Sequence, residues 1–502
     1  VTTVSAYEQL QAHFRKIANF EHAAGILHWD HAVMMPPGSA VPRAEALAAL
    51  ALHLHELGTD PRIPEWVESA ASDTLDEWQV ANLREIRHDY LMNTAVPGDL
   101  VEALSRATST AEAAWRDLRA ENNWQDFQPH LEKVFELTRE KAQALGEALE
   151  TDPYDALVAI YQSGISCSEI DPLFDELSDF LPPVIESALQ RQRDAGEMDH
   201  PATGISTERQ RALALTVTES LGYDFNRGRI DTAHHPFCGG ATGDVRITTR
   251  YSQDDFLHSL LAIIHETGHA LYEQNRPTKH ISQPVGHARG MAMHESQSLF
   301  MEKQVAKSAA FIGHLAPLMR QHLDPQADYL DERWSAHYLY RLVSRVKPGL
   351  IRVDADECTY PLHIILRYEM EKRLVAGTME VADIPDAWTA DMERLLGLST
   401  QGDYRNGCMQ DVHWPSGGIG YFPTYTLGAV IAAQFKAAMT RELGDLDEQL
   451  ERGDLSRIKA WLADKVWSQG CRLELQDLLL EATGKTLSSE DFRDHIVSRY
   501  GS

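Results

Sequence analysis

Apolar residues recur at spacings of three and four from Ser5 to about Thr151, with polar faces between, as in YEQLQAHFRKIANFEHAAGILHWD and VEALSRATSTAEAAWRDLRAE. That period predicts one amphipathic helix after another. MMPPGSAVP at Met34–Pro42 must interrupt the run, because proline lacks an amide and clashes with the preceding turn, and Arg43 and Glu45 then open another helix. The same texture continues in IDPLFDELSDFLPPVIESALQRQRDAG, in STERQRALALTVTESLGYD and again from Leu455 onward.

Three stretches depart from it. Arg229–Tyr251 alternates β-branched residues on both sides of a Gly-rich turn, which predicts a small β-ribbon. After the turn at Pro348 and Gly349, Ile351–Val353 reads as a short extended piece before a helix starting near Asp356. Tyr404–Leu427 is rich in glycine and aromatics and is poor helix material. The expected fold is all-α, predominantly helical with a small β-ribbon. No segment looks like a linker, so residues 1–502 read as a single domain, one large helical body that a cleft can split into two lobes.

A formal net charge of −29 argues against nucleic acid and anionic membrane as partners, since both require basic patches. The chain has no run of 18 or more apolar residues, and VTTVSAYEQL lacks the charged head and apolar core of a secretory signal. Five cysteines, an odd number without metal-type pairing, fit a reducing cytoplasm.

Candidate chemistry concentrates in LLAIIHETGHALYEQ, Leu260–Gln274. Histidines at i and i+4 project from one face of a helix, so His265 and His269 can offer two neutral nitrogens to a zinc-type ion. Glu266, beside the first, is placed to take a proton from water on that ion. The flanks are apolar, and two histidines and a glutamate sunk in a core are costly unless something pairs them. On the following helical stretch, GHARGMAMHESQSLFMEK, Glu295 is a candidate third ligand of gluzincin type, leaving one position open for water. His294 is its rival. Glu295 is preferred, because sites completed by a third histidine carry it in an extended HExxHxxGxxH, which this chain lacks. Glu302, two helical turns beyond Glu295, can orient a ligand or be a surface charge.

Four residues near the ribbon, His234, His235, Asp244 and Arg246, gain interest only from standing next to the metal helix. Arg352, between aliphatic neighbours, pairs with Asp354 or Asp356, or clamps a substrate carboxylate in bidentate fashion. Gln410, Asp411, His413, Tyr421 and Tyr425 offer donors and acceptors in the aromatic stretch, though a buried aromatic loop explains the tyrosines equally well. Trp29 and Asp30 read as packing and capping before the proline break.

Six motifs occur in order: HPF at His235–Phe237, DxRxT at Asp244, Arg246 and Thr248, HExxH at His265–His269, HES at His294–Ser296, IRxxAD at Ile351–Asp356, and GxxQDxHW at Gly407–Trp414. In these the chain resembles the carboxypeptidase Taq family of metallocarboxypeptidases nearly end to end. The resemblance implies a mostly helical, two-lobed fold around a deep substrate groove, and a homodimer holding one divalent metal per chain, zinc or cobalt, which removes single residues from the free C-terminus of peptides. It implies His265, His269 and Glu295 as ligands, Glu266 as base and Arg352 as receiver of the free carboxylate. His235, His413, Tyr421 and Tyr425 are expected among the substrate contacts, any of them a candidate to hold the oxyanion. Cys238 and Cys408 adjoin two of the motifs without an assigned role. Two alternatives are a metal-dependent oligopeptidase cutting internal bonds with the same residues, and a helical scaffold with a structural metal.

Overall fold

The computed structural model describes residues 4–328 and 330–501. Its first helix, Ala6–Val33, opens on a capping box in which Ser5 accepts from the Glu8 amide and Glu8 accepts from the Ser5 amide. The helix stops where Pro36 and Pro37 follow, and the chain turns through Pro37–Ser39. The next helix begins at Ala40, ahead of the expected Arg43. Pro42 is tolerated because first-turn amides have no partner inside a helix.

Apolar burial divides in two. Tyr7, Leu10, Phe14 and Ile17 of the first helix pack with Leu57, Ile63, Val67, Leu83 and Ile86 in a small N-terminal core, while the remaining helices share one large continuous core. The C-terminal half of the first helix bridges the two. Trp29 is buried against Phe237, with ring centroids 5.1 Å apart, and the Arg246 guanidinium lies 5.8 Å from its ring. Gly25 makes this docking possible, since a Cβ there would fall 2.3 Å from the Gly240 carbonyl oxygen.

The expected β-ribbon forms within a small three-stranded sheet, β1 (Ile230–Thr232), β2 (Cys238–Ala241) and β3 (Asp244–Thr249), in the order β1-β3-β2. The β2–β3 hairpin turns at Thr242-Gly243, with Gly243 at φ +80°. β1 adds in parallel to β3. Three residues are too few for alternation to reveal a strand, and a parallel partner carries no local turn signal.

Two further expectations are corrected. Arg352–Asp354 is a 3₁₀ turn, not an extended piece, and the helix after it starts at Tyr360. Asp356 caps no helix start. Its carboxylate gathers the amides of Lys347, Cys358 and Thr359 and the Thr359 hydroxyl, which holds the chain in turns. The aromatic stretch is non-helical as expected only to Phe422, because the helix Pro423–Leu443 places proline in the first turn.

Candidate active site

The HExxH helix spans Phe256–Gln274, opened by Asp255 accepting from the His258 amide. The helix that faces it, Gly290–Leu299, carries Glu295. Two glycines set how closely the elements meet. A Cβ on Gly268 would fall 2.4 Å from the Gln297 carbonyl oxygen, and one on Gly428 would fall 2.8 Å from Glu295 Cβ. Glu295 is thereby wedged between neighbours and aimed at the histidine pair.

Glu295 Oε2 lies 3.8 Å from His265 Nε2 and 3.4 Å from His269 Nε2. The three donor atoms lie within 4.8 Å of one another. A tetrahedral ion with bonds of about 2.1 Å spaces its ligands about 3.4 Å apart, which the Glu295–His269 pair matches and the Glu295–His265 pair exceeds by about 0.4 Å, so small side-chain shifts suffice for a zinc-sized cation. The field agrees with the spacing. Burial alone would raise the Glu295 and Glu302 carboxyls, yet their charged neighbours hold both below the usual range. Burial would likewise lower His265, but Glu295 and Glu302 carry it up to about 9, whereas burial takes His269 down to about 4. Glu266 is buried among these groups, and burial pushes its carboxyl up to about 7.

Glu302 sits on a π-helical turn, Phe300–Ala306, an irregularity that concentrates at functional sites. It is no surface charge. Its Oε2 lies 3.0 Å from His265 Nδ1 and its Oε1 2.5 Å from Lys303 Nζ. His294 stands outside the trio, with Nδ1 at 2.6 Å from His269 Nδ1 and Nε2 at 3.0 Å from Glu273 Oε1.

A second cluster surrounds Arg352, which is 5% exposed. Its partner is neither Asp354 nor Asp356. Asp411 takes Arg352 Nε at 2.9 Å on one oxygen and Arg367 Nε at 2.7 Å on the other. Despite burial, the two guanidinium groups hold the Asp411 carboxyl well below the usual range. Tyr360 Oη accepts from Arg352 Nη1 at 3.0 Å, and Gln410 Oε1 accepts from the Arg352 amide at 2.8 Å. Tyr425 lies beneath the guanidinium at 5.1 Å and meets His413 Nε2 through its hydroxyl at 3.2 Å. Tyr421 packs edge-on against Tyr425 at 5.1 Å. The stretch holding these groups is fastened from behind by Glu371, which accepts from Tyr154 Oη, Trp414 Nε1 and the Gly420 amide at 2.7, 2.8 and 2.9 Å.

The helix Pro423–Leu443 touches both clusters, through Tyr425 against Arg352 and through Gly428 against Glu295. The charge of Glu295 acts on Tyr360, Tyr421 and Tyr425, the tyrosines that meet Arg352 or each other, and adds to the rise that burial imposes on their hydroxyls. His235 is brought into neither cluster. It is exposed between β1 and β2, and its main-chain oxygen accepts from Thr248 Oγ1 at 3.3 Å. Asp244 pairs with Arg246 at 2.5 Å, and Arg246 serves the docking of Trp29. Tyr360, Arg367 and Glu371 escaped the sequence reading, although a charge inside the apolar run PLHIILRYEM was a signal available for Arg367.

The family profile described as carboxypeptidase Taq (M32) metallopeptidase matches residues 9–500. The chain is 37% identical to thermostable carboxypeptidase 1 of Thermus thermophilus, over 100% of this chain and 99% of that one. It is 32% identical to carboxypeptidase 1 of Bacillus subtilis, over 97% and 96% respectively. Among solved structures, Trypanosoma cruzi metallocarboxypeptidase 1 superposes with a TM-score of 0.96 at 38% identity, each chain covered fully. An M32 carboxypeptidase from Deinococcus radiodurans gives 0.92 at 33% identity, with 99% of each chain covered.

Proposed function

Because this chain belongs to the carboxypeptidase Taq (M32) metallopeptidase family, we propose that it removes single amino acids from the free C-terminus of peptides, using one divalent ion held by His265, His269 and Glu295. A bound ion, zinc in this reading with cobalt as its substitute, supplies Lewis-acid polarisation of the scissile carbonyl and a lowered pKa for the attacking water. Glu266, buried next to the first ligand, takes the proton from that water and later passes it to the leaving amine. Tyr421 or Tyr425 donates a hydrogen bond to the oxyanion, with His413 holding the Tyr425 hydroxyl in place. His235 keeps a place as a substrate contact from the exposed loop before β2.

Arg352 makes the enzyme an exopeptidase. Asp411 occupies the Nε and Nη2 edge of its guanidinium and Tyr360 takes one hydrogen of Nη1, so the second hydrogens of Nη1 and Nη2 are the ones that receive a substrate carboxylate, and their fixed place relative to the ligands lets only the last peptide bond reach the ligands. The observation that carries this reading is that one helix serves both ends, with Tyr425 near its start lying against Arg352 and Gly428, one turn on, packed on Glu295. Following one unblocked peptide by mass over time tests it. Successive loss of single C-terminal residues is expected, and internal fragments at early times would instead establish an oligopeptidase.

The reading extends to the assembly and its setting. The whole chain forms one peptidase domain, its N-terminal helices making the lobe that flanks the groove, and two chains form a homodimer. Five unpaired cysteines support a reducing, cytoplasmic location. No helix among the described residues is long and apolar enough to cross a membrane.

A further inference from the structure

The helix that carries Glu295, Gly290–Leu299, has no side-chain cap of its own. Arg289 stands at its N-cap position, a residue whose side chain can only donate, and that side chain is turned onto Glu85. The amides of the first turn are nevertheless met, by a segment 130 residues away in the chain. The Tyr161 carbonyl accepts from the Met291 amide at 2.7 Å, and Gln162 Oε1 accepts from the amides of Ala292 at 3.0 Å and Met293 at 3.4 Å. Gln162 is fully buried, and the fit is close, since a Cβ on Gly290 would fall 2.6 Å from Gln162 Oε1.

Gln162 is itself held. Its amide donates to the Val158 carbonyl at 2.8 Å, and its Nε2 donates to the Ser163 carbonyl at 3.0 Å, which turns Oε1 toward the ligand helix. The short helix just before it, Pro153–Ala159, also bears on the carboxylate end. Its Tyr154 is one of the three donors on Glu371, and a Cβ on Gly420 would fall 2.8 Å from the Leu157 carbonyl oxygen.

A helix without a cap loosens at its first turn, where the amides have no partner inside the helix. Glu295 lies one turn past Ala292, so its carboxylate follows what that turn does. A cap supplied by the preceding residue would tie the turn only to its own stretch of chain. One supplied by a separate buried segment ties it to the body of the protein and fixes the helix along its own axis.

We propose that Gln162 is a positioning residue of the metal centre, which caps the ligand helix from outside and so sets the place from which Glu295 reaches the histidine pair. The inference rests on His265, His269 and Glu295 being the ligands.

The test is the zinc dissociation constant of the full-length protein, measured by competition with a chelator, alongside the melting temperature of the metal-free form. Gln162→Leu removes the acceptor at similar volume and leaves two buried amides unmet. Zinc must then order a loosened turn as it binds, so affinity is expected to fall about 3- to 30-fold, the span of a lost helix cap. Gln434→Leu is the control, since Gln434 is likewise fully buried and donates to the Lys485 and Thr486 carbonyls. It should lower metal-free melting and leave zinc affinity within about threefold of wild type. The effect must also run through Glu295. In a Glu295→Ala background, where zinc is left to the two histidines, adding Gln162→Leu should weaken binding by less than about threefold. A loss below about threefold in Gln162→Leu overturns the proposal, and so does a larger loss than that in Gln434→Leu or on adding Gln162→Leu to Glu295→Ala. If Gln162→Leu does not fold, Gln162→Met, unbranched and without the amide, takes its place in each comparison. A wild-type protein that fails to bind one zinc per chain, or a His265→Ala variant that binds as tightly as wild type, would reject the ligand set itself rather than the cap.

Discussion

At the metal end, His265, Glu266, His269, Glu295 and Glu302 come from two successive helical segments, whereas the carboxylate end draws Arg352, Tyr360, Arg367, Asp411 and Tyr425 from three separate stretches of chain. Helical spacing alone faces His265, Glu266 and His269 toward one point, and one helix crossing, set by Gly268 and Gly428, brings Glu295 to them. The second set exists only after tertiary folding, with Asp411 as the hub that two guanidinium groups share. The metal end is thus held by one helix and one close crossing, and the carboxylate end by a buried ion-pair network and the Glu371 anchor. In the proposed reading chemistry belongs to the first and register to the second, and the two should fail separately.

Glu266→Gln breaks the metal end hardest. Turnover is expected to fall about 10²- to 10⁴-fold, the usual range for a lost general base. Zinc content should stay at one per chain. Full turnover in this variant would remove Glu266 from its role.

Arg352→Ala acts at the other end. A charged hydrogen-bond pair contributes about 1.5–3 kcal/mol, so kcat/KM on free-acid peptides should drop about 10- to 150-fold. On C-terminally amidated peptides it should hardly change. Equal losses on both would show that the two ends do not divide the work.

Next comes Gly268→Ala, which adds one methyl group 2.4 Å from the Gln297 carbonyl oxygen. Overpacking at this contact is expected to cost about 1–3 kcal/mol of stability and to weaken zinc binding, since Glu295 rides on the displaced helix. Thermal melting with and without zinc checks this. The same substitution at Gly397, where a Cβ would meet nothing within 4 Å, should leave zinc affinity unchanged.

How much the sequence disclosed follows the same division. His265, Glu266 and His269 lie within one helical turn, and Glu295 follows on the next helix, so the 3.6-residue period and ligand chemistry were enough to group them. The role of His294 was not legible, because whether an imidazole ligates a metal or hydrogen-bonds a ligand depends on ångström-scale placement. Arg352 was singled out, but its partner was sought among near neighbours, and the long-range contact to Asp411 leaves no periodic trace. Gly268 and Gly428 carried no signal either, since the need for a missing Cβ appears only where helices cross. The amphipathic helices read at Ala6–Val33, Gly98–Ala120, Cys167–Ala195 and Thr207–Leu221 are present. The three-residue β1 and the turn at Arg352–Asp354 were too short to announce themselves.

The smallest effect concerns pH and the carboxylate end. Arg367 and Arg352 outweigh burial and hold the Asp411 carboxyl below the usual range. Below the ordinary carboxylate value of about 4 the unfolded chain therefore binds a proton that the folded chain does not, and the stability from this group drains away as pH falls. The melting-temperature gap between wild type and Asp411→Asn should be constant from pH 6 to 8, in the order-of-magnitude sense that both are well above about 4, and should narrow below it. A gap that widens on acidification would contradict the assignment.

Anomalous diffraction at the zinc absorption edge, from crystals of the zinc-loaded protein, tests the central claim most directly. A single strong peak per chain is expected within bonding reach, about 2.0–2.2 Å, of His265 Nε2, His269 Nε2 and a Glu295 oxygen. A principal peak on His294 and Glu273, or none near the histidine pair, would contradict it.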